Sequence, residues 1–493
     1  MTERIARVIG GQSGALAAAL VTGKRDLISE PTNDALRAAG VYHIVSVSGL
    51  HMVLAAGAFF WTARAILALS PTLALGWPIK KISAVLAMAG ATAYCLFTGS
   101  EVATERSLIM ILIMLGAILA DRPALSMRNL AIAAIIVLVR EPETLVGPSF
   151  QMSFAAVAGL VAYAEWSRNR FAEPTGRPGP LTRIVWLLIL FATTVVATVA
   201  TAPYAAFHFQ RLNPFGLIGN MLALPFVSLI VMPAAVAGVL LWPFGLDGVI
   251  WQMMGWGTAP VIRISQTVAS LGGSVAPLRA FGAGTALLAT VGLLWFVIWR
   301  SPLRWAAAAP ALIAAYGMTR GEPVDLLMAR SGQGVAYRAP DGKFVVLGEA
   351  SKFDVTFWLQ ADGDQRKAGD PSLKSGPTCD RLGCTGKDRV GRVIAWVKDV
   401  RAFPEDCCRA DIIVTPLNAP IWCVQPLIAD RKTFNDYGAL SVRFAVGEPI
   451  VSGVRHPTER RRWQAAMAPN GREPARGVSD NRPPQLPHSA GGN

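Results

Sequence analysis

Polar and charged side chains lie within or beside long apolar stretches of this sequence. Removing such groups from water costs free energy, so residues of this kind usually have a function. Residues 43–51 (HIVSVSGLH) contain two histidines, two serines and a glycine. Residues 101–106 (EVATER) contain two glutamates and an arginine. Hydrogen-bonding groups of this kind could line a hydrated path for a polar or anionic substrate, with cations offsetting its charge. Such a path requires no covalent chemistry.

Two further polar segments follow along the chain. Residues 148–154 (PSFQMSF) place a glutamine and two serines at the start of an apolar stretch, and residues 203–225 add more polar groups between apolar blocks. The candidate path residues are therefore His43, Ser48, Gly49, His51, Glu105, Arg106, Gln151, His208, Asn213 and Asn220. Each cluster also has an ordinary explanation: an interfacial helix end, serines bonded to their own backbone, a solvated loop or an aromatic belt. The residues alone leave both explanations open.

The composition argues against a soluble single-domain enzyme. Of the 493 residues, 53% are hydrophobic and only 16% are charged, whereas soluble proteins carry about 25% charged residues. Apolar blocks recur from residue 44 to residue 318, and the chain resembles a soluble domain after Gly321. The net charge of +14 suits both basic cytoplasmic loops and a polyanionic partner, and it does not separate the two.

We expect about eight to ten membrane crossings, because each needs about 20 apolar residues. The candidate spans lie near residues 44–69, 79–98, 106–120, 128–140, 149–165, 183–203, 214–242, 280–299 and 304–318. Pro225 and Pro233 should divide the span 214–242 into two half-helices or kink it. A helix over residues 9–20, which does not have the features of a signal peptide, and one over 246–271 are expected to lie at the membrane surface.

Basic loops indicate the orientation of the chain. Residues 166–183 and 299–304 are rich in arginine, which favours a cytoplasmic position for both loops. One more crossing then places the chain after Gly321 in the periplasm of a bacterial cell. The sequence predicts an α-helical polytopic membrane protein with a C-terminal α/β extramembrane domain. Its expected parts are an amphipathic, interfacial lead-in (1–43), a transmembrane core (44–320), a periplasmic domain (321–453) and a disordered basic tail (454–493).

Five of these segments resemble, in the same order, the signature segments of ComEC-type competence proteins. Ser48-Gly49-Leu50-His51 matches the end of the family motif G-L-x-H-L-L-A-I-S-G-L-H, and His43 stands at its upstream histidine. Residues 20–25 (LVTGKR) are similar to an L-L-L-G-D-R run, with Lys24 where an acid is usual. The remaining matches are residues 104–106 (TER), 148–154 (PSFQMSF) and 202–225, so that the resemblance covers roughly residues 16–241.

The resemblance implies a multi-pass inner-membrane channel that passes single-stranded DNA into the cytoplasm during natural transformation. Its implied partners are the lipid bilayer, single-stranded DNA, a periplasmic DNA receptor and a cytoplasmic helicase-like ATPase, since the chain has no P-loop motif of its own. No cofactor is expected. This chain begins almost at the competence core, so the family's N-terminal OB-like domain is not expected. The alternative that the polar residues leave open is a small-molecule secondary transporter.

The resemblance also implies a degenerate form of the metallo-β-lactamase-like domain with which the family often ends. Residues 326–336 (LLMARSGQGVA) resemble its F-L-D-V-G-Q-G-D-A segment, and Leu417 and Asn418 stand where two metal-ligand histidines would be. The chain has five histidines, and none lies between Phe209 and Arg455. A di-metal hydrolase site needs several, so the sequence predicts no metal site and no nuclease activity, and argues against a membrane-anchored hydrolase.

Two local features of this domain can be predicted. Strands over residues 335–338 and 343–347 should form a hairpin around Pro340-Asp341-Gly342. Its five cysteines lack the paired C-x2-C spacing of zinc knuckles. They allow a structural disulfide such as Cys379–Cys384, free thiols or, least favoured, a metal site. Such a disulfide would suit an oxidising compartment.

Overall fold

A computed structural model describes residues 1–45, 49–170, 180–321, 323–424, 427–444 and 449–455. The predicted path residue Ser48, residues 171–179 of the basic loop 166–183 and nearly all of the tail 454–493 lie outside the described residues. The chain forms two compact units, which are described separately. A helical unit comprises Met1–Ala276 and Gly282–Gly317, and a C-terminal unit comprises Pro277–Phe281 and the chain from Met318 onward.

The helical unit is built from fifteen described α-helices and two very short strands. The helices are α1 Thr2–Ile9, α2 Gly11–Thr22, α3 Glu30–Ala38, α4 Gly49–Ala68, α5 Pro71–Gly76, α6 Ile79–Phe97, α7 Val102–Leu119, α8 Met127–Arg140, α9 Pro148–Arg170, α10 Pro180–Phe209, α11 Gly216–Phe226, α12 Met232–Leu241, α13 Asp247–Ser270, α14 Ala283–Ile298 and α15 Ala308–Thr319. The strands are β1 Arg211–Leu212 and β2 Ala276–Pro277.

Four segments of the described chain are long and apolar enough to cross a membrane. They are His51–Ala68, Ile79–Phe97, Val102–Leu119 and Gly216–Phe244. Each coincides with one of the spans predicted from hydropathy, and α14 is apolar but shorter. The helical region therefore has the character of a membrane protein, and the further crossings stay predictions.

The segment Gly216–Phe244 passes Pro225 and Pro233 without a break. Helix α11 contains Pro225, a π-helical turn follows over Val227–Val231, and α12 begins immediately afterwards with Pro233 near its start. Proline has no backbone N–H and cannot donate the usual helical hydrogen bond. A π-helical turn places one more residue inside each hydrogen-bonded ring, so the helix can continue past this position. The expectation left open two half-helices or one kinked span, and the chain forms a single continuous helical segment.

Helices α2 and α13 are buried to different degrees in the helical unit, and their expected position at the membrane surface stays a prediction. Residues 14–21 of α2 are all buried, whereas α13 buries one face and leaves Val249, Met253 and Trp256 exposed on the other. The alanines of α2 are small on every face, which lets neighbouring helices approach from all directions. Helix α13 packs against α1, α2, α3, α11 and α12. The carboxylate of Asp247 accepts hydrogen bonds from Trp251 and Arg4, both at 2.7 Å, and so ties α13 to α1.

A close backbone contact joins the end of α3 to α11. Gly40 has a φ of +70°, and a Cβ on it would lie 2.8 Å from Cα of Gly216. A Cβ on Gly219 would lie only 2.2 Å from the carbonyl oxygen of Ala39. Glycine is needed at these positions because a side chain would separate the two backbones. This contact holds the segment before α4, which includes His43, against α11.

The described part of the C-terminal unit contains two five-stranded sheets and three α-helices. Its strands are β3 Leu326–Met328, β4 Gly334–Arg338, β5 Phe344–Gly348, β6 Thr378–Cys379, β7 Gly383–Lys387, β8 Val393–Val397, β9 Ile412–Val414, β10 Leu427–Ala429, β11 Leu440–Phe444 and β12 Pro449–Gly453. Its helices are α16 Lys352–Asp362, α17 Phe403–Arg409 and α18 Arg431–Tyr437. One sheet has the order β12-β11-β3-β4-β5 with antiparallel pairs, and the other has the order β10-β9-β8-β7-β6.

The two sheets pack face to face, because alternate side chains along their strands point toward the other sheet. Ile394 and Trp396 of β8 join Val335 and other residues of the first sheet in a shared core, whereas Ala395 and Val397 face α17. On the first sheet, residues of β4 and β5 pack likewise against α16. The predicted hairpin is confirmed, since β4 and β5 pair in antiparallel register. The C-terminal region is thus a sheet-containing domain, and the finer metallo-β-lactamase-like assignment stays a prediction.

Gly219→Ala should lower the stability of the protein by about 1–3 kcal/mol, because the new methyl group forces α11 away from the backbone of Ala39. Gly57→Ala is the matched control, since a Cβ there meets no described atom within 4 Å. Thermal unfolding of both variants in detergent tests the difference. Equal midpoints for the two variants would contradict the close packing.

Candidate functional site

The guanidinium of Arg106 is buried between two helices of the membrane-type region. Its Nη1 donates to Oγ of Ser149 at 2.8 Å, and its Nη2 donates to Oγ of Ser153 at 3.1 Å. The side chain of Arg106 belongs to α7, and the two serines stand four residues apart on one face of α9. Residues from two of the predicted polar segments are therefore brought together.

Arg106 is a buried cation whose charge is not neutralised at close range. Among the described residues, no carboxylate lies within ion-pair distance of its guanidinium, and the adjacent Glu105 pairs instead with Arg140 of α8 at 2.6 Å. Two hydroxyls satisfy donors but contribute no negative charge. An anion that enters this region would therefore meet a preformed positive group.

A small open groove runs beside Arg106 between α7, α8 and the turn that follows α8. Its lining combines two cations and two carboxylates with apolar side chains, namely Val102, Glu105, Arg106, Ile109, Val137, Arg140, Glu141 and Thr144. The groove gives the Arg106 side of α7 an opening toward solvent. Because acids line it as well, its field is mixed rather than uniformly positive.

Gln151 and His208 form the next contact along the same helices. Nε2 of His208, near the end of α10, lies 2.8 Å from Oε1 of Gln151 on α9. The amide nitrogen of Gln151 donates to the carbonyl of Leu145 at 3.1 Å. Helices α9 and α10 pack along each other. Gln151 and Ser153 therefore orient polar partners from two different helices around α9.

The start of α4 lies beside the Arg106 region. Gly49 is the first residue of α4, and a Cβ on it would lie 3.4 Å from Oγ of Ser107, which follows Arg106 on α7. His51, two residues later, is fully buried. Gly49 thus lets the beginning of α4 approach α7 at Ser107, the residue that follows Arg106.

His43, Asn213 and Asn220 form a second group, next to the close contact between α3 and α11. Nδ1 of His43 lies 3.2 Å from the carbonyl oxygen of Gly40, and the Asn213 amide donates to the carbonyl of Arg37. The Oδ1 atom of Asn220 is buried and accepts no hydrogen bond from the described residues. The predicted residues therefore occupy two groups, one around α7 and α9 and one around α3 and α11.

Three partners of the predicted residues were not singled out from the sequence. Ser149 and Ser153 could have been found from their spacing of four within PSFQMSF, because such residues share a helix face. Arg140, the partner of Glu105, had no local signal. Glu101 pairs with Arg25 at 3.8 Å, so the VTGKR segment meets the loop before α7.

In the C-terminal unit, the structure pairs Cys379 with Cys384 and Cys407 with Cys423. The first pair joins opposite residues of the β6–β7 hairpin, and the second was not anticipated. Cys408 is exposed and has a free thiol. The described residues contain no group of three histidine, cysteine or acidic side chains suited to a metal ion.

Comparison with known proteins identifies relatives over the helical region. The model of the family described as Competence protein matches residues 20–303. The chain is 27% identical to ComE operon protein 3 of Bacillus subtilis (strain 168) over 230 residues, which are 46% of this chain and 26% of that protein. It is 31% identical to Competence protein ComA of Neisseria gonorrhoeae over 244 residues, 48% of this chain and 33% of that protein.

A third relative extends further along the chain. YcaI of Escherichia coli (strain K12) is 24% identical over 335 residues, which are 64% of this chain and 43% of that protein. The matched part of the chain thus spans less than half the length of each of these relatives. No solved structure matches the chain significantly. Because the family model covers more than half of its residues, this chain belongs to the competence protein family.

Proposed function

We propose that this chain is a multi-pass inner-membrane protein of DNA uptake that passes single-stranded DNA into the cytoplasm. Its membership of the competence protein family and its four apolar segments support a role in DNA uptake at a membrane. The observation that carries the channel role is the buried guanidinium of Arg106 with its two serine partners. A phosphate backbone is recognised chiefly by such cations.

The surroundings of Arg106 suit a transient phosphate contact. The hydroxyls of Ser149 and Ser153 are neutral, so a phosphate oxygen can replace one of them without breaking an ion pair. Glu105, which could compete for the guanidinium, is engaged with Arg140. His208 and Gln151 supply further polar atoms on the neighbouring helices. The strand would pass these groups in turn without a covalent step.

The driving force and the delivery of DNA are assigned to other proteins. The sequence contains no P-loop, so a cytoplasmic helicase-like ATPase would pull the strand, and a periplasmic receptor would deliver it. We place the C-terminal unit in the periplasm. Its two disulfides support an oxidising compartment, because such bonds seldom persist in a reducing cytosol.

We further propose that the C-terminal unit is a degenerate metallo-β-lactamase-like domain without nuclease activity. The sequence has no histidine between Phe209 and Arg455, and Leu417 and Asn418 occupy two expected ligand positions. Leucine offers no metal-binding atom, and an asparagine carbonyl is a weak ligand compared with imidazole. The unit would then serve as a structural part of the uptake machinery.

Arg106→Gln should reduce uptake of DNA by about tenfold or more, because it removes the buried positive charge that a phosphate would contact. Arg128→Gln, at an exposed position of α8, is the matched control and should leave uptake unchanged. Internalised fluorescent DNA is measured in a naturally transformable bacterium that lacks its own competence channel, with equal membrane levels of both variants. Undiminished uptake with Arg106→Gln would refute the assigned role.

The thiol of Cys408 should react with a membrane-impermeant maleimide in intact spheroplasts, because it is exposed and the C-terminal unit faces the periplasm. Cys408→Ser is the control and should remove this labelling. Prior reduction should add label at the four disulfide cysteines. Labelling that needs membrane permeabilisation would place the unit in the cytoplasm instead.

The purified full-length chain should not cleave DNA in the presence of Zn²⁺ or Mn²⁺ above the level seen with a chelator, because the histidines of a di-metal site are missing. Gel electrophoresis of labelled single-stranded and double-stranded substrates measures cleavage. Metal-dependent cleavage that co-purifies with the chain would restore the hydrolase interpretation.

A further inference from the structure

The loop between β9 and β10 presents apolar side chains at an exposed turn. The backbone N–H of Cys423 donates to the carbonyl of Pro420 at 3.0 Å, which makes Ile421 and Trp422 the central residues of a four-residue turn. Ile421 is 102% exposed, Trp422 57% and Val424 64%. Turn tips in water usually carry glycine, asparagine, aspartate or serine. An isoleucine and a tryptophan are therefore unusual residues for this position.

Both ends of this loop are anchored to the body of the unit. Cys423 is joined by its disulfide to Cys407 on α17. At the other end, the N–H of Ala419 donates to the carboxylate of Asp430 at 3.3 Å, and the N–H of Arg431 donates to the carbonyl of Leu417 at 3.0 Å. The apolar tip is therefore held outward by its anchors, which reduces the entropic cost of placing it against a surface.

Two cations stand next to this loop. Arg431 and Lys432 begin α18, are exposed, and form no ion pair with another described residue. The Nε atom of Arg431 donates to the carbonyl of Pro416 at 2.9 Å, which places this arginine at the base of the loop. An apolar turn beside exposed cations is complementary to a surface with an anionic outer layer and an apolar layer below it.

We propose that the turn Pro420–Cys423 inserts into the headgroup region of the bilayer that the same chain spans. The chain passes between the membrane-type unit and the C-terminal unit at 276/277, 281/282 and 317/318, so three connections tether the loop's domain to a membrane protein. Tryptophan favours the membrane interface, with its ring in the apolar layer and its N–H in water. Three side chains are too few for a standard protein interface, which buries about 800 Å² per partner.

Fluorescence of Trp422 in the full-length chain tests the proposal. The protein is reconstituted into vesicles of phosphatidylethanolamine and phosphatidylglycerol, with either ordinary or brominated acyl chains. The signal of Trp422 is the difference between the unsubstituted chain and Trp422→Phe, and brominated lipid should quench more than half of it. Trp396→Phe supplies the control difference, which should not respond, because Trp396 is buried and donates to the carbonyl of Gly332.

The alternatives give distinct results. Quenching of the Trp422 signal by aqueous iodide but not by brominated lipid would leave the turn in water and overturn the proposal. Protection from both quenchers would mean that the turn packs against protein, such as a second copy of the chain, and would overturn it equally. Weaker quenching in vesicles of phosphatidylcholine alone, or with Arg431→Ser and Lys432→Ser together, is the result expected if anionic headgroups help to hold the turn.

Discussion

A guanidinium between apolar helices needs partners for its donors, and Ser149 and Ser153 meet this need for Nη1 and Nη2 of Arg106, whereas its Nε is buried without a partner among the described residues. Two hydrogen bonds at 2.8 and 3.1 Å connect α7 to α9. Burying the charge without them would be far more costly than the ordinary loss of a hydrogen bond. The relative position of these two helices is therefore constrained by one side chain, and the charge itself remains available to an anion. Any channel role for the chain depends on that remaining charge.

Packing of backbone against backbone provides the second constraint in the helical unit. Hydrophobic association contributes little between helices in lipid, so small residues that allow close approach take its place. Gly40, Gly216 and Gly219 perform this role where α3 meets α11, and Gly238 leaves room for the indole ring of Trp251 on α13. The ion pair between the buried Asp247 and the half-exposed Arg4 then links α13 to α1. Polar residues at the end of α3 and on α11 consequently have defined positions even though they belong to separate parts of the sequence.

The C-terminal unit follows the rules of a domain in water. Alternate residues of its central strands face either the partner sheet or a covering helix, and two disulfides close its loops. The unit still exposes several large apolar side chains, and among those described the most exposed is Ile421, in the turn that also carries Trp422. The disulfide at Cys423 both stabilises the domain and presents the turn outward, so stability and surface recognition are connected at one residue. The sequence of this unit has no histidine before His456.

Local patterns in the sequence determined the membrane-type character of the helical region, four of the apolar spans and the β4–β5 hairpin, because periodicity and turn chemistry act over a few residues. Tertiary structure alone decided the partners of Arg106, which lie 43 and 47 positions away, and the choice of Cys423 as the partner of Cys407. It also buried α2, whose alanine-rich sequence suits a crowded interior as well as a surface. These contacts depend on how separate helices and strands pack against one another. The packing is stabilised by residues far apart in the chain, so no local sequence pattern specifies it.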